Sequence, residues 1–285
     1  MHRNASSMKR ATVAQSVSAE GIGVASGRSL SLRFEPAPEG AGLRVFRSDL
    51  GVDIPLSIDF VREVSNCTAV EHNGADVYII EHLMAALAAF GITDLRVITD
   101  GPEIPIFDGS AARLCAMLRQ AGIRTLSGEN EPLTITNKIV VEHKGRRLQV
   151  LPPTSNGWCE ITYHLDHPHP LIGRQQVTLA LPSEAEEIFA RELAPARTFI
   201  LEQEAVALQE TGWLSGGSEE NAIIIYDDHY SAAPKLEQEF ARHKILDLLG
   251  DLYLLNRRVV GRIIAQRTGH AHNHQLARKL REALQ

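Results

Sequence analysis

The sequence has little cysteine and few aromatic residues. Three cysteines stand among 285 residues, and phenylalanine, tryptophan and tyrosine together make up 5%. Three widely spaced thiols do not form the framework of a disulfide-stapled secreted domain, so a reducing compartment, the cytoplasm, is expected. No apolar run approaches the roughly 20 residues of a transmembrane helix. The basic N-terminus also lacks the apolar segment of a signal peptide.

An excess of positive charge is also absent. The formal net charge is -6, with 22% charged and 44% hydrophobic residues. This balance excludes a general attraction to nucleic acid or to an anionic membrane, so an anionic ligand would have to meet a local basic patch. The length allows one large domain or two ordinary ones.

The order of predicted elements indicates two halves of similar build. In each half, strands are followed by a helix, a further strand and a second helix, and the turn-rich stretch 127–132 separates the halves. The sequence therefore predicts an α+β fold of two similar units packed together, and such halves commonly form a cleft between them. The expected segments are a disordered tail at 1–12, a first domain at 13–128 and a second domain at 129–285.

The most informative motif lies in the long helix predicted over residues 236–256. His243 and Asp247 are four residues apart, so a helix places them on one face, one turn apart. This spacing suits two ligands of one divalent ion, and zinc catalysis needs a third ligand and an open position. The alternative is an exposed pair on a solvated helix face.

The third ligand is sought at the start of the helix predicted over residues 81–90. His82 is the candidate, and Glu81 beside it is the candidate general base, because a hydrolytic metal site needs a carboxylate near the metal but not on it. The alternative is a helix that begins with a carboxylate because its dipole favours one there. The metalloprotease pattern H-E-x-x-H is absent from the sequence.

Four further residues are candidates for supporting roles. Lys244 could stabilise developing negative charge, and Asp251, one turn after the predicted ligand Asp247, could orient a histidine. His270 could serve as general acid or oxyanion stabiliser, and Asp108 could orient a metal-binding histidine. For each of them the alternative is a solvated residue or an ordinary helix start. For His270 the alternative is a loop of solvated histidines that precedes a last helix, which is predicted to begin at Asn273.

These motifs together resemble the UDP-3-O-acyl-N-acetylglucosamine deacetylases, the zinc enzymes of lipid A biosynthesis. The resemblance runs from about Ser18 to Leu284. It is carried by the order and spacing of the segments GIGVASG (21–27), PAPEGAGLRVFRSDL (36–50), EHLMAALAAFGITDL (81–95), PEIPIFDGSA (102–111), ARTF (196–199), GWLSGGSEENAI (212–223), EFARHKILDLLGDLYLL (239–255) and GHAHN (269–273).

The resemblance implies two similar two-layer α/β sandwich domains with the active site between them, and it implies a role for each motif residue. It assigns the general base to Glu81, and it makes His270, held by Asp251, the partner acid or base. Thr198, which the chemistry alone does not single out, would bind the oxyanion or the metal-bound water together with Lys244. Zinc would be held by His82, His243 and Asp247.

The resemblance also implies an acyl passage in the second domain. An insert over residues 198–217 would house the fatty chain, and the alternative is an ordinary helix that packs on the sheet. The substrate-binding residues expected in this insert are Phe199, Ile200, Leu208, Trp213 and Gly217.

Three positions depart from the family pattern. Ile200 stands where a small residue is expected, which could narrow the passage, and Ala25 replaces a usual histidine. His272 replaces an aliphatic residue.

The expected function is a zinc-dependent amidohydrolase that removes the N-acetyl group of UDP-3-O-acyl-N-acetylglucosamine. One zinc ion per chain is expected, although Fe²⁺ fits similar ligands. The expected partner is the amphiphilic UDP-sugar, with no nucleic acid, and the chain is expected to be a monomer. The alternatives are a related deacetylase of another N-acetyl amino sugar and a non-catalytic binding protein of the same fold.

Overall fold

The computed structural model describes residues 7–154 and 157–283. Within them, no helix combines the length and the apolarity that crossing a membrane requires.

The first half contains β1 (Met8–Val13), β2 (Val17–Ile22), β3 (Ser29–Pro36), β4 (Leu43–Arg47), β5 (Val52–Pro55), a 3-10 helix (Ile58–Phe60), β6 (Val61–Arg62), β7 (Ala69–His72), β8 (Ala75–Tyr78), α1 (Glu81–Phe90), β9 (Leu95–Thr99), α2 (Ala112–Ala121) and β10 (Ile123–Asn130).

A five-stranded sheet forms the outer layer of the first half. Its strand order is β2-β3-β9-β4-β5, with β4 and β9 parallel and the other pairs antiparallel. Strand β3 shows the alternation of a sheet with one buried face, because Leu30, Leu32 and Phe34 are buried while their neighbours Ser31 and Arg33 are exposed. A smaller three-stranded sheet, β6-β7-β8, precedes α1.

The prediction of a disordered tail over residues 1–12 is wrong for residues 8–12. These residues form most of β1, which pairs antiparallel with β10. The partner strand lies more than a hundred residues away, so a polar segment becomes ordered through a pairing that local pattern does not reveal. Residues 1–6 lie outside the described part of the chain.

The second half builds its own sheet. The strand order β12-β13-β18-β14-β15 is extended by β11, which pairs with β18. The elements are β11 (Leu133–Thr134), β12 (Ile139–His143), β13 (Arg146–Leu151), β14 (Cys159–Asp166), β15 (Arg174–Leu181), α3 (Glu186–Glu192), β16 (Phe199–Leu201), α4 (Glu202–Glu210), β17 (Ile223–Ile225), α5 (Glu239–Tyr253), β18 (Val259–Gln266) and α6 (His270–Glu282).

Each half therefore places helices against one sheet, and the α+β class predicted from the element order is confirmed. The large sheets do not share strands across the two halves within the described residues. The division after residue 128 stays a prediction, and β10 continues two residues beyond it. The insert contains α4, and none of the side chains of α4 is fully buried. The alternative of an ordinary helix that packs into the core therefore does not fit α4.

Helix α1 is held between the two halves. All ten of its residues are buried, and it packs along α5 of the second half. At its C-terminal end, Gly91 takes the left-handed conformation that ends many helices, with φ of 68°. Arg258, which precedes β18, donates to the carbonyls of Ala88 at 2.9 Å and Ala89 at 3.0 Å. The C-terminal end of α1 is thereby fixed relative to the second half.

Candidate active site

The first turn of α1 and the middle of α5 carry the predicted ligands. His82 is the second residue of α1, while His243 and Asp247 lie one turn apart on α5. Each of the three residues is 2% exposed. The alternative of a solvated helix face is therefore wrong for His243 and Asp247, because α1 covers that face of α5.

The three side chains converge on one point. One ligand atom from each of His82, His243 and Asp247 lies within 4.8 Å of the other two. The Nε2 atoms of the two histidines are 3.7 Å and 3.4 Å from Asp247 Oδ1. Donor atoms that bind one tetrahedral cation at about 2.0–2.2 Å lie roughly 3.3–3.6 Å apart. The spacing therefore fits a single divalent cation, and these residues form a possible His/His/Asp metal site.

The protonation states also suit a cation. Burial lowers the pKa of His243 to about 3, against the attraction of Asp247, and burial likewise lowers the pKa of His82. Burial raises the pKa of Asp247, but His243 and Lys244 outweigh it and hold that pKa well below its usual range. The site therefore presents two neutral imidazoles and a carboxylate. Asp247 Oδ1 has no hydrogen-bond partner among the described residues, which a bound cation would correct.

A hydrogen bond fixes the orientation of one ligand ring. His243 Nδ1 donates to the carbonyl of Ala196 at 3.2 Å, which leaves Nε2 unprotonated and turned toward Asp247. The ring of His82 meets the ring of His243 edge to face, with centroids 5.1 Å apart.

Glu81 lies beside the possible metal site without joining it. Its Oε2 accepts a hydrogen bond of 3.0 Å from the backbone N–H of Thr68, which precedes β7. Burial raises the pKa of Glu81 to about 7, against the attraction of His270. A carboxylate with a pKa near neutrality can accept a proton and return it at physiological pH.

His270 and Asp251 form a hydrogen-bonded pair next to this carboxylate. His270 Nδ1 donates to Asp251 Oδ2 at 2.8 Å, and Nε2 lies 4.0 Å from Asp247 Oδ2. Asn273 Nδ2 and Thr68 Oγ1 also donate to Asp251, at 2.9 Å and 2.5 Å. Burial lowers the pKa of His270, but Asp251 outweighs it and raises that pKa to about 9. His270 is therefore protonated at neutral pH.

Lys244 places an ammonium group against the carboxylate of Asp247. Its Nζ donates to Asp247 Oδ2 at 2.9 Å and lies 5.5 Å from the ring centroid of Phe199. Thr198, just before β16, is held by its backbone, which donates to Gly109 at 2.7 Å and accepts from Ile223 at 2.8 Å. The part-buried Thr198 hydroxyl has no hydrogen bond within the described chain, so it is available to a ligand.

Comparison with known proteins identifies the family. A model of the UDP-3-O-acyl N-acetylglycosamine deacetylase family matches residues 10–282. The chain belongs to this family. Proteins named UDP-3-O-acyl-N-acetylglucosamine deacetylase from Anaeromyxobacter dehalogenans (strain 2CP-C) and Nautilia profundicola are 39% and 38% identical to it. Each alignment spans 96% of this chain and, respectively, 88% and 92% of the relative. A protein of the same name from Leptospira biflexa serovar Patoc is 39% identical over 94% of this chain and 88% of its own.

In this member of the deacetylase family, the residues predicted to bind the acyl chain are spread along the insert. Phe199 is closest to the possible metal site, with its ring centroid 6.2 Å from that of His243. Ile200 and Leu208 are half-buried, on β16 and α4. Trp213 meets Tyr78 edge to face at 5.1 Å. Gly217, also half-buried, donates from its backbone to Leu214.

The departure at Ala25 is accommodated inside a small apolar cluster. Ala25 is 7% exposed, and the half-buried Trp213 packs against the cluster that it forms with Val24, Cys67 and neighbouring residues. Its backbone N–H donates to Oε2 of the buried Glu103 at 2.8 Å. The insert is thus joined to the first half of the chain at Ala25.

Asp108 was expected either to orient a metal-binding histidine or to belong to an ordinary helix start, and its contacts fit the helix start. Its carboxylate accepts hydrogen bonds from the Ser110 hydroxyl at 2.6 Å and from Lys235 Nζ at 2.7 Å. In the described part of the chain it makes no hydrogen bond to His82 or His243. The carboxylate oxygens of Asp108 are occupied by donors from Ser110 and Lys235. Asp108 therefore affects the site only by holding the loop that carries Ser110.

Four residues of the site were missed in the sequence. Thr68 and Asn273 donate to Asp251, and His274 lies against the same carboxylate. Asn273 was interpreted as the residue that begins the last helix, whereas α6 begins at His270, so His270, Asn273 and His274 lie on one helix face. Gly250 was not assigned a role, although a glycine inside a strong helical pattern indicates a close approach.

Proposed function

We propose that this chain is a zinc-dependent deacetylase of UDP-3-O-acyl-N-acetylglucosamine. It hydrolyses the N-acetyl group and releases acetate and UDP-3-O-acyl-glucosamine, a step of lipid A biosynthesis. The observation that carries this proposal is the meeting of His82 from α1 with His243 and Asp247 from α5, in a chain of this family. A non-catalytic binding protein would not need this donor set together with a buried carboxylate of raised pKa.

The metal in this proposal is one zinc ion held by His82, His243 and Asp247. Two neutral imidazoles and one carboxylate suit Zn²⁺, and Fe²⁺ fits the same set less specifically. When bound, the cation supplies a Lewis acid that polarises the amide carbonyl and acidifies water. Lys244 shares the carboxylate of Asp247 and keeps it ionised, because its Nζ lies 2.9 Å from Oδ2.

Glu81 acts as the general base. Its carboxylate accepts a proton from the attacking water, and the Thr68 N–H holds Oε2 in a fixed position at 3.0 Å. Because Glu81 is 4% exposed, bulk water does not compete for the carboxylate. The burial that raises its pKa to about 7 also increases its basicity relative to a solvated glutamate.

His270 acts as the partner acid. With Nδ1 donating to Asp251, a protonated His270 presents its Nε2–H toward the ligand Asp247, where the leaving amine nitrogen would form. The buried Asp251 keeps the imidazolium charged and oriented. As the C–N bond breaks, the amine nitrogen takes a proton from His270 Nε2 or from the protonated Glu81.

Lys244 and Thr198 bind the oxyanion of the tetrahedral intermediate. The ammonium of Lys244 is already held near the site by Asp247, so little reorganisation is needed when negative charge develops. The acyl chain lies along the insert, at Phe199, Ile200, Leu208, Trp213 and Gly217.

We further propose that the protein acts in the cytoplasm and is a monomer. The free state of all three cysteines supports a reducing compartment.

Turnover of two matched substrates by the purified chain tests the proposal. The chain should bind one zinc ion and release acetate from UDP-3-O-acyl-N-acetylglucosamine much faster than from the same UDP-sugar without the acyl chain. Glu81→Ala should keep the zinc ion and lose most activity. Equal rates on both substrates would favour a deacetylase of another N-acetyl amino sugar. A chain without stoichiometric metal whose behaviour is unchanged by Glu81→Ala would be a binding protein.

A further inference from the structure

His274 is a buried histidine behind the His270–Asp251 pair. It lies one turn after His270 on α6 and is 2% exposed. Its Nε2 is 2.9 Å from Thr68 Oγ1 and 3.5 Å from Asp251 Oδ1. The proposed mechanism gives this side chain no role, although burying an imidazole costs free energy unless it is hydrogen-bonded.

The donors and acceptors around Thr68 fix the direction of these hydrogen bonds. The Thr68 hydroxyl donates its only proton to Asp251 Oδ1 at 2.5 Å, because the ionised carboxylate can only accept. Oγ1 must then accept from His274, whose Nε2 therefore carries the proton. On the other side of the ring, Nδ1 has no hydrogen bond within the described residues, and the nearest Glu63 oxygen is 3.9 Å away. The Nε2 contact therefore sets the orientation of the ring.

Thr68 connects this histidine to both proton-transfer groups. Its hydroxyl supports Asp251, which holds His270, and its backbone N–H holds Oε2 of Glu81. A threonine hydroxyl has two lone pairs, and it can rotate among acceptors unless donors occupy those lone pairs. His274 Nε2 occupies one of them at 2.9 Å, and His270 Nδ1 also lies 3.2 Å from Oγ1, which leaves Asp251 Oδ1 as the acceptor of the hydroxyl proton.

We propose that His274 is a positioning residue of the deacetylase, acting through Thr68 to hold Asp251 in the orientation that aligns His270. This inference rests on the proposed function, because the aligned group is the proposed acid. Without a donor at this place, Thr68 turns away and Asp251 keeps donors on Oδ2 alone. The carboxylate and the imidazole of His270 then sample orientations that do not present Nε2 to the leaving nitrogen.

Two variants of similar size separate hydrogen bonding from packing. His274→Gln keeps an N–H donor near the position of Nε2, whereas His274→Leu fills the space without one. We expect His274→Leu to lower kcat by about 10- to 100-fold, as loss of a supporting partner typically does. KM and zinc content should be unchanged. His274→Gln should recover most of kcat.

Two further variants serve as a control and as an independent test. His272→Gln changes another buried histidine on the same helix, whose Nε2 has no hydrogen bond in the described chain, and should leave kcat unchanged. Thr68→Val removes the hydroxyl but keeps the backbone N–H, so it should lower kcat as much as His274→Leu. The double variant should lose no more than either single one, because both changes break one chain of contacts.

A crystal structure of the His274→Leu variant gives a readout that does not depend on turnover. The distance from His270 Nδ1 to Asp251 Oδ2 should exceed 3.5 Å or become heterogeneous, against 2.8 Å here. Equal kcat for the Gln and Leu variants, or an unmoved pair in that structure, would overturn the inference. A wild-type chain that does not hydrolyse the acylated UDP-sugar would instead refute the proposed function, and the distance would still decide the role of His274.

Discussion

Gly250 of α5 lies so close to Glu81 of α1 that a Cβ at this position would be 2.0 Å from the Glu81 carbonyl oxygen. The atom it would meet is backbone, so no side-chain rotation relieves the overlap. This close approach sets the distance between the turn that carries Asp247 and the turn that carries His82. The glycine therefore acts on the geometry of the possible metal site as well as on packing.

Gly250→Ala should separate the two helices. We expect it to destabilise the fold by about 1–3 kcal/mol, because overpacking outweighs the gain of up to about 1 kcal/mol from replacing a helical glycine. Zinc affinity should fall as His82 moves away from Asp247. Urea unfolding and a zinc competition titration measure the two effects. A variant as stable as the wild type, with unchanged zinc affinity, would show that α1 and α5 do not need this contact.

The helices that carry the site could be predicted from local pattern, but their meeting could not. The apolar stripe and terminal Gly91 predict α1, and the spacing of His243 and Asp247 places both on one face of α5. Local pattern contains no information on a contact between segments some 160 residues apart, so the meeting was predicted from the need for a third metal ligand and from the family resemblance. The one physical signal was Gly250, whose cost inside a helix needs a reason such as a close approach.

The start of α6 shows where local propensity misled the prediction. Asn273 is a strong N-cap residue type, so the sequence predicted a helix from that position and a histidine loop before it. In the structure α6 begins directly after Gly269, and the Asn273 side chain donates a hydrogen bond to Asp251 instead of capping the helix. Tertiary hydrogen bonding thus outweighs the capping preference. The shift of about one turn hid the alignment of His270 with His274.

Removal of the metal should abolish activity and lower stability. Chelation should stop acetate release, and added zinc should restore it. Zinc at 100 times its Kd should stabilise the wild type by about 2.7 kcal/mol, because it binds the folded chain. His243→Ala should lose this stabilisation, whereas His229→Ala should keep it, since the His229 side chain is 63% exposed and on the surface. Thermal unfolding with and without zinc makes the comparison; equal zinc shifts in the two variants would remove His243 from the ligand set.

The value of kcat/KM should depend on pH through two groups, one of which must be ionised as a base and the other protonated as an acid. Glu81 must be ionised, so kcat/KM should rise as pH increases through its pKa, which is about 7 here and is lowered by a bound cation. His270 must be protonated, so kcat/KM should fall as pH increases through a pKa of about 9, which the cation also lowers. The profile should be bell-shaped.

Two variants test which residue causes each limb of the pH profile of kcat/KM. The residual activity of Glu81→Ala should lack the acidic limb, and that of His270→Ala should lack the alkaline limb. The measurement is kcat/KM against pH for each variant at constant ionic strength. An alkaline limb that persists in His270→Ala would mean that another group supplies the proton to the amine.

Ile200 should limit the length of the acyl chain. It lies on β16, in register with Ile224 of β17, and is half-buried close to Phe199. Ile200→Gly should open the passage, and each further methylene buried there is worth about 0.8 kcal/mol, or roughly fourfold in kcat/KM. Val206→Ala is the matched control, because Val206 is 49% exposed on α4 and should not line the passage. Competition among UDP-sugars of graded acyl length measures the preference, and an identical profile for Ile200→Gly and the wild type would place the end of the passage elsewhere in the insert.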